Sequence, residues 1–178
     1  YNWELPYERS AYTETETYEE AVSYCKQLAE YSNQVVYQPF GKSAQGYDIP
    51  LLIIDKNKNF TSDAVRSSGN AVLLIQANIH PGEPDGIDAG FLLIRDIIVN
   101  KTYHNLLDHV TLLFIPSFNV DGHRRYMKYS RINQNGPEKA GWRTTTRNLN
   151  LNRDFLKADA IEMQQWLQFY NKWLPDFF

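Results

Sequence analysis

A single cysteine, Cys25, stands among the 178 residues. No intrachain disulfide can form, and cysteine content leaves the redox compartment open. No apolar run approaches the roughly 20 residues that a membrane-crossing helix needs. An excess of positive charge is missing too: 18 Lys and Arg against 21 Asp and Glu give a net charge of −3. Electrostatics therefore gives no reason to expect nucleic acid or an anionic membrane as a partner. There is no internal repeat and no low-complexity segment. What is present is a hydrophobic fraction of 43% against 22% charged residues, enough for a real buried core. The length suits one ordinary domain and is too short for two. The sequence opens on Tyr1 rather than Met. From this we expect an upstream segment to have been removed and, through loss of a signal peptide, a secreted or periplasmic protein.

Taken in order, Tyr1 to Ser10 is aromatic, contains proline and has no period, so an extended arm is expected. Thr13 to Thr17 alternates Thr and Glu and reads as a solvated lead-in. Thr17 and Glu20 are spaced as a capping box, and Tyr18, Ala21, Val22, Cys25, Leu28 and Ala29 follow as one helix face. Val35 to Phe40 and Ile49 to Asp55 predict a hairpin around the turn at residues 41–46, with a loop from Lys56 to Asn70. The continuous apolar run Ala71 to Ala77 predicts a central strand buried on both faces, and Asp85 to Val99 a helix. Val110 to Ile115 is a second buried strand, followed by a loop from Ser117 to Gly122. Residues 124–141 show no strong period. Asp159, with Glu162 three positions on, predicts the cap of a last helix whose stripe runs from Met163 to Leu174. Asp176 to Phe178 reads as the start of another strand. Strands alternating with helices give an α/β fold, and the early hairpin argues for a mixed sheet with helices on both faces.

The chemistry is expected at Gln76-Ala-Asn-Ile-His-Pro-Gly-Glu-Pro-Asp85. A strand, a short rigid loop and a helix place polar side chains at the carboxyl end of an open α/β sheet, where ligand crevices form. His80 and Glu83 can share one Zn²⁺ through an imidazole nitrogen and a carboxylate oxygen, given further ligands from elsewhere. His104 and His109 read as surface residues at the opposite end, and His123 as a surface residue or a supporting one. Arg143 and Arg153 each offer a planar fork suited to a carboxylate or a carbonyl oxygen, and Asn152 adds an amide donor. Solvated surface arginines are the plainer alternative, and for Arg147 it is preferred.

Together these pieces resemble the zinc carboxypeptidase family, metallopeptidases of the pancreatic carboxypeptidase type and their bacterial relatives. His80-Pro-Gly-Glu83 is similar to its His-x-x-Glu zinc motif. Pro116-Ser-Phe-Asn-Val-Asp-Gly122 is similar to its Pro-x-x-Asn-Pro-Asp-Gly segment, with Val120 replacing the second proline. Trp142-Arg143 and Asn152-Arg153 resemble the pairs that polarise the scissile carbonyl and hold the C-terminal carboxylate. The resemblance implies an α/β/α sandwich and a carboxypeptidase acting on peptide or protein C-termini. His80 and Glu83 would hold Zn²⁺, Arg143 would be catalytic, and Asn152 and Arg153 would bind substrate.

The departures from the family pattern carry expectations of their own. The family's third zinc ligand, general-base glutamate and capping tyrosine would all lie beyond Phe178. Residues 1–178 are thus expected to be the N-terminal portion of one catalytic domain, inactive alone and prone to self-association. Asn150 stands where relatives often have the aspartate that orients the zinc histidine. Two other readings stay open: a non-catalytic module binding peptide carboxylates, and an amidase acting on an acylated amino acid.

Overall fold

The computed structural model describes residues 1–178. Its centre is a four-stranded mixed sheet in the order β1-β4-β6-β5, made of β1 (Val35–Tyr37), β4 (Leu52–Ile54), β6 (Val110–Ile115) and β5 (Ala71–Gln76). β1, β4 and β6 pair antiparallel, whereas β5 runs parallel to β6. Side chains alternate across the sheet, as the two-residue repeat of a strand requires. Leu52, Ile54, Leu112 and Phe114 enter one apolar layer, and Ile53, Leu113 and Ile115 enter the other. Helices α2 (Tyr18–Tyr31) and α4 (Asp85–Ile98) close the first layer. Helices α3 (Ser62–Ser68) and α6 (Ile161–Trp173) close the second. The mixed sheet with helices on both faces is thus the α/β/α architecture expected.

Local chemistry explains the elements. Thr17 accepts from the Glu20 amide while Glu20 accepts from the Thr17 amide, so the capping box that starts α2 is formed. In α4, Gly90 lets the sheet come close: a Cβ there would meet the Phe114 ring at 2.3 Å. The predicted hairpin is present, but its turn residues begin with paired backbone, as β2 (Gly41–Lys42) bonds β3 (Asp48–Ile49).

Several expectations are corrected. The arm contains a one-turn helix, α1 (Pro6–Arg9), where Glu8 accepts from the Leu5 amide and pairs with Arg95 of α4. Thr15 and Glu16 are buried rather than solvated: the Thr15 carbonyl accepts from the Tyr126 hydroxyl, and the Glu16 carbonyl from His123. The loop at 56–70 holds α3, capped by Thr61 and ended by Gly69 in the left-handed region. The segment 117–122 enters α5 (Val120–Arg124) rather than staying irregular. β5 has β6 on one side and, on the other, the expected strand start at Asp176 and Phe177, whose amides donate to the Val72 carbonyl while the Phe177 carbonyl accepts from the Leu74 amide. Its side chains enter both layers, which is why its sequence reads as a buried strand. Helix α6 has Ala160 at its N-cap and no side chain capping it, so Asp159 is not the cap; the Asp154 carboxylate instead accepts from the Asp159 and Ala160 amides that lead into the helix. Glu162 reaches the Ala44 amide instead, and Leu174 is exposed in a left-handed turn, outside the stripe.

Candidate functional site

β5 and β6 run parallel in register, with Gln76 opposite Ile115. Their carboxyl ends therefore open side by side, and pairing continues past them through Phe118 to Ala77 and Asn119 to Asn78. Asn78 turns the chain out of β5 in the left-handed region, with φ 52°, which asparagine tolerates better than most residues. The Glu83 amide then donates to the His80 carbonyl at 2.8 Å. His80-Pro81-Gly82-Glu83 is thus a hydrogen-bonded β-turn with proline at its second position, where the ring presets φ. A four-residue turn of this kind brings its first and last side chains together.

His80 is buried, and its two ring nitrogens face different partners. Nε2 lies 2.9 Å from Asn150 Oδ1, and Nδ1 lies 3.2 Å from Glu83 Oε2. Asn150 Oδ1 also accepts from the Asn152 amide at 3.0 Å, which identifies it as the oxygen. His80 must therefore donate through Nε2. In the neutral ring Nδ1 then presents a lone pair to a carboxylate oxygen, an arrangement that needs a proton or a cation between them. Two ligands about 2.0–2.1 Å from a tetrahedral zinc sit roughly 3.3 Å apart. The 3.2 Å separation fits two of its ligands. Two are fewer than a stable zinc site uses. No group of three or more His, Cys, Asp or Glu side chains is placed to hold a metal.

The other oxygen of Glu83 is taken by arginine. Oε1 accepts from Arg131 Nη1 at 2.9 Å and from Arg143 Nη1 at 2.8 Å. Partial burial would push the Glu83 carboxyl up; the hydrogen bond from Arg131 leads the effects that outweigh it and hold the group below the usual carboxylate range. Arg143 is fixed through its backbone. The Trp142 amide donates to the Gly122 carbonyl, and Asn119 donates to the Arg143 carbonyl while accepting from the Gly122 amide. A Cβ at Gly122 would lie 2.6 Å from the Trp142 carbonyl, so the Asn-Val-Asp-Gly turn and the Trp-Arg loop meet only because that residue is glycine.

Of the residues singled out in the sequence, His80, Glu83 and Arg143 are in direct contact. Asn152 and Arg153 sit on a 3-10 turn, Leu151–Arg153, that starts next to Asn150. Both are exposed, and Arg153 Nη1 turns back to the Asn152 carbonyl. His123 is fully buried rather than at the surface. It donates from Nε2 to the Glu16 carbonyl and accepts at Nδ1 from Ser117, which makes it a strut and not a ligand. Burial pushes its pKa down to about 4. Arg131 had no periodicity or motif to mark it in the sequence. It belongs to a hairpin of β7 (Met127–Lys128) and β8 (Lys139–Ala140), and its stem lies where a Gly82 Cβ would come within 2.3 Å of Arg131 Cγ.

Residues 21–172 match the model of the zinc carboxypeptidase family. No curated protein matches the chain. Bovine thrombin-activatable fibrinolysis inhibitor, solved with tick carboxypeptidase inhibitor, is similar at 16% identity and TM-score 0.68, over 94% of this chain and 59% of that one. Carboxypeptidase A from Helicoverpa armigera is similar at 20% identity and TM-score 0.66, over 86% of this chain and 42% of that one. A Pseudomonas aeruginosa metallo-carboxypeptidase, solved with (2-guanidinoethylmercapto)succinic acid, gives 21% identity and TM-score 0.66, over 90% and 38%. At these identities the structural likeness speaks for the fold alone, and the chain spans less than two thirds of each of these structures. No helix is long and apolar enough to cross a membrane. The match to the family's model runs through every motif described above, and on it the chain belongs to the zinc carboxypeptidase family.

Proposed function

We propose that residues 1–178 supply part of the active site of a zinc metallocarboxypeptidase that removes the last residue of a peptide. The observation that carries this reading is the pairing of His80 Nδ1 with Glu83 Oε2, with Asn150 holding the far side of the imidazole. His80 and Glu83 would hold the metal, and the remaining ligand and the general base would come from outside these residues. When bound, zinc supplies Lewis-acid polarisation of water and carbonyl oxygen. Arg143 would leave Glu83 to stabilise the negative charge developing on the scissile carbonyl. Asn152 and Arg153 would take the terminal carboxylate, Arg153 through its guanidinium fork. The family membership supports the chemistry, and the share of the relatives' length that is spanned supports the need for further residues.

Zinc titration followed by calorimetry tests the reading. The wild-type chain should take up one zinc weakly, and H80A and E83Q should abolish the uptake. Equal affinity in all three would contradict it. A second reading is favoured by one observation, that Glu83 already binds two guanidinium groups. A non-catalytic module would use that basic recess to bind peptide carboxylates without metal. R153A weakening a free-carboxylate peptide in the presence of a chelator would support this second reading, and a strict metal requirement would exclude it.

A further inference from the structure

We propose that the β7–β8 hairpin and Arg131 form a subsite for an acidic side chain of the substrate, on the residue just upstream of the bond to be cleaved. This rests on the reading above, in which a peptide lies with its carboxylate at Arg153 and its last bond at His80 and Glu83.

The first observation is a segregation of charge. Residues 124–153 hold eight of the 18 basic residues and one of the 21 acidic ones, in a chain whose net charge is −3. The second is the order of contacts through the site. Asn150, next to Asn152 and Arg153, touches His80; His80 touches Glu83; Glu83 touches Arg131. The hairpin therefore stands beyond Glu83, away from the carboxylate-binding end. A chain fixed at Arg153 and crossing the metal pair continues over Arg131.

The third observation is a cavity of about 210 Å³ at that position, lined by Met127, Tyr129, Arg131, Gln134, Asn135 and Pro137 among others. Sites for whole small-molecule ligands usually start near 300 Å³. This one has room for a single side chain. Its chemistry favours an anion. Arg131 commits only Nη1 to Glu83, and its Nε and Nη2 make no hydrogen bond. Gln134 and Asn135 add amide donors. The one acid on the lining, Glu138, is neutralised by an ion pair with Lys128. Met127 and Pro137 provide apolar walls for the methylenes of a glutamate, while a lysine would face guanidinium.

The test uses labelled tetrapeptides, Gly-Gly-Xaa-Ala with Xaa as Glu, Gln or Lys, each as free acid and as C-terminal amide, titrated into the zinc-supplemented chain. The Glu peptide should bind about fivefold tighter than the Gln peptide, the scale of one partly exposed charge pair, and tighter still than the Lys peptide. Raising the salt concentration to 0.5 M should shrink the Glu/Gln ratio. R131M should bring that ratio close to one, and the double variant Gln134→Ala/Asn135→Ala, which leaves the contact to Glu83 in place, should reduce it. A Glu/Gln ratio of one in the wild-type chain, a ratio unchanged in R131M, or no measurable binding of any peptide would overturn the proposal. Equal binding of acids and amides would instead defeat the carboxylate reading, because the Glu/Gln ratio reports on the subsite alone.

Discussion

Asn150 decides the state of His80. Its oxygen accepts from both the Asn152 amide and His80 Nε2, so the imidazole is held with Nδ1 toward Glu83. Partners of this kind orient a ligand and raise its basicity, and losing one usually costs about 10–100-fold in metal affinity. N150A should weaken zinc by that factor in calorimetry, and N150D, which restores a full negative charge, should tighten it. A second pair at this scale sets the pH response. Burial, and then the neighbouring Asp88, push the Glu16 carboxyl up to about 9. Burial pushes His123, whose Nε2 donates to the Glu16 carbonyl, down to about 4. The two act in opposite directions. His123 contributes stability that is fully present above its unfolded value near 6.5 and lost as the pH falls toward 4. Glu16 contributes stability present below its unfolded value near 4.5 and lost as the pH rises toward 9. E16Q keeps the shape and cannot ionise. It should be more stable than the wild-type chain in urea at pH 8, by on the order of a few kcal/mol, with no gain at pH 4. An equal difference at both pH values would show that Glu16 is ionised when folded.

At the scale of elements, what the sequence made legible depended on how far the signal had to reach. The capping box of α2 lies within four residues, and it formed where the spacing put it. At α6 no side chain caps the first turn, and the chain entering it is held from further away. Asp154 reaches five and six residues forward to the Asp159 and Ala160 amides, across a loop whose course no local pattern fixes, so the nearer Asp159 looked like the cap. D154A should cost roughly 1–2 kcal/mol in denaturant unfolding, whereas D159A should cost little. Parity between the two would restore the local reading. Helix α3 was hidden for another reason. Seven residues with three serines carry little helix propensity, although Thr61 and Gly69 bracket them as caps.

At the scale of the whole molecule, one sheet with a helix layer on each face brings the ends of β5 and β6 together. Four separated stretches then meet: the His80 turn, the segment before α5, the Trp142-Arg143 loop and the Asn150 turn. The sequence marked each stretch by its residue types, and the recurrence of several motifs in order made them legible as a set. Their convergence depends on glycines at 82, 122 and 141 that let backbones and stems touch. A Cβ at Gly141 would meet Pro81 at 2.5 Å, a closeness no motif advertises. Arg131 remained illegible because its role comes from the fold of an aperiodic hairpin. The account stands on one divalent ion shared by His80 and Glu83, and zinc K-edge X-ray absorption on the zinc-loaded chain examines that most directly. The spectrum should carry the signature of one imidazole, with nitrogen and oxygen neighbours at about 2.0–2.1 Å. H80A, treated in the same way, should retain no zinc and so no such signature. A spectrum with no imidazole, or with two or more, would contradict it.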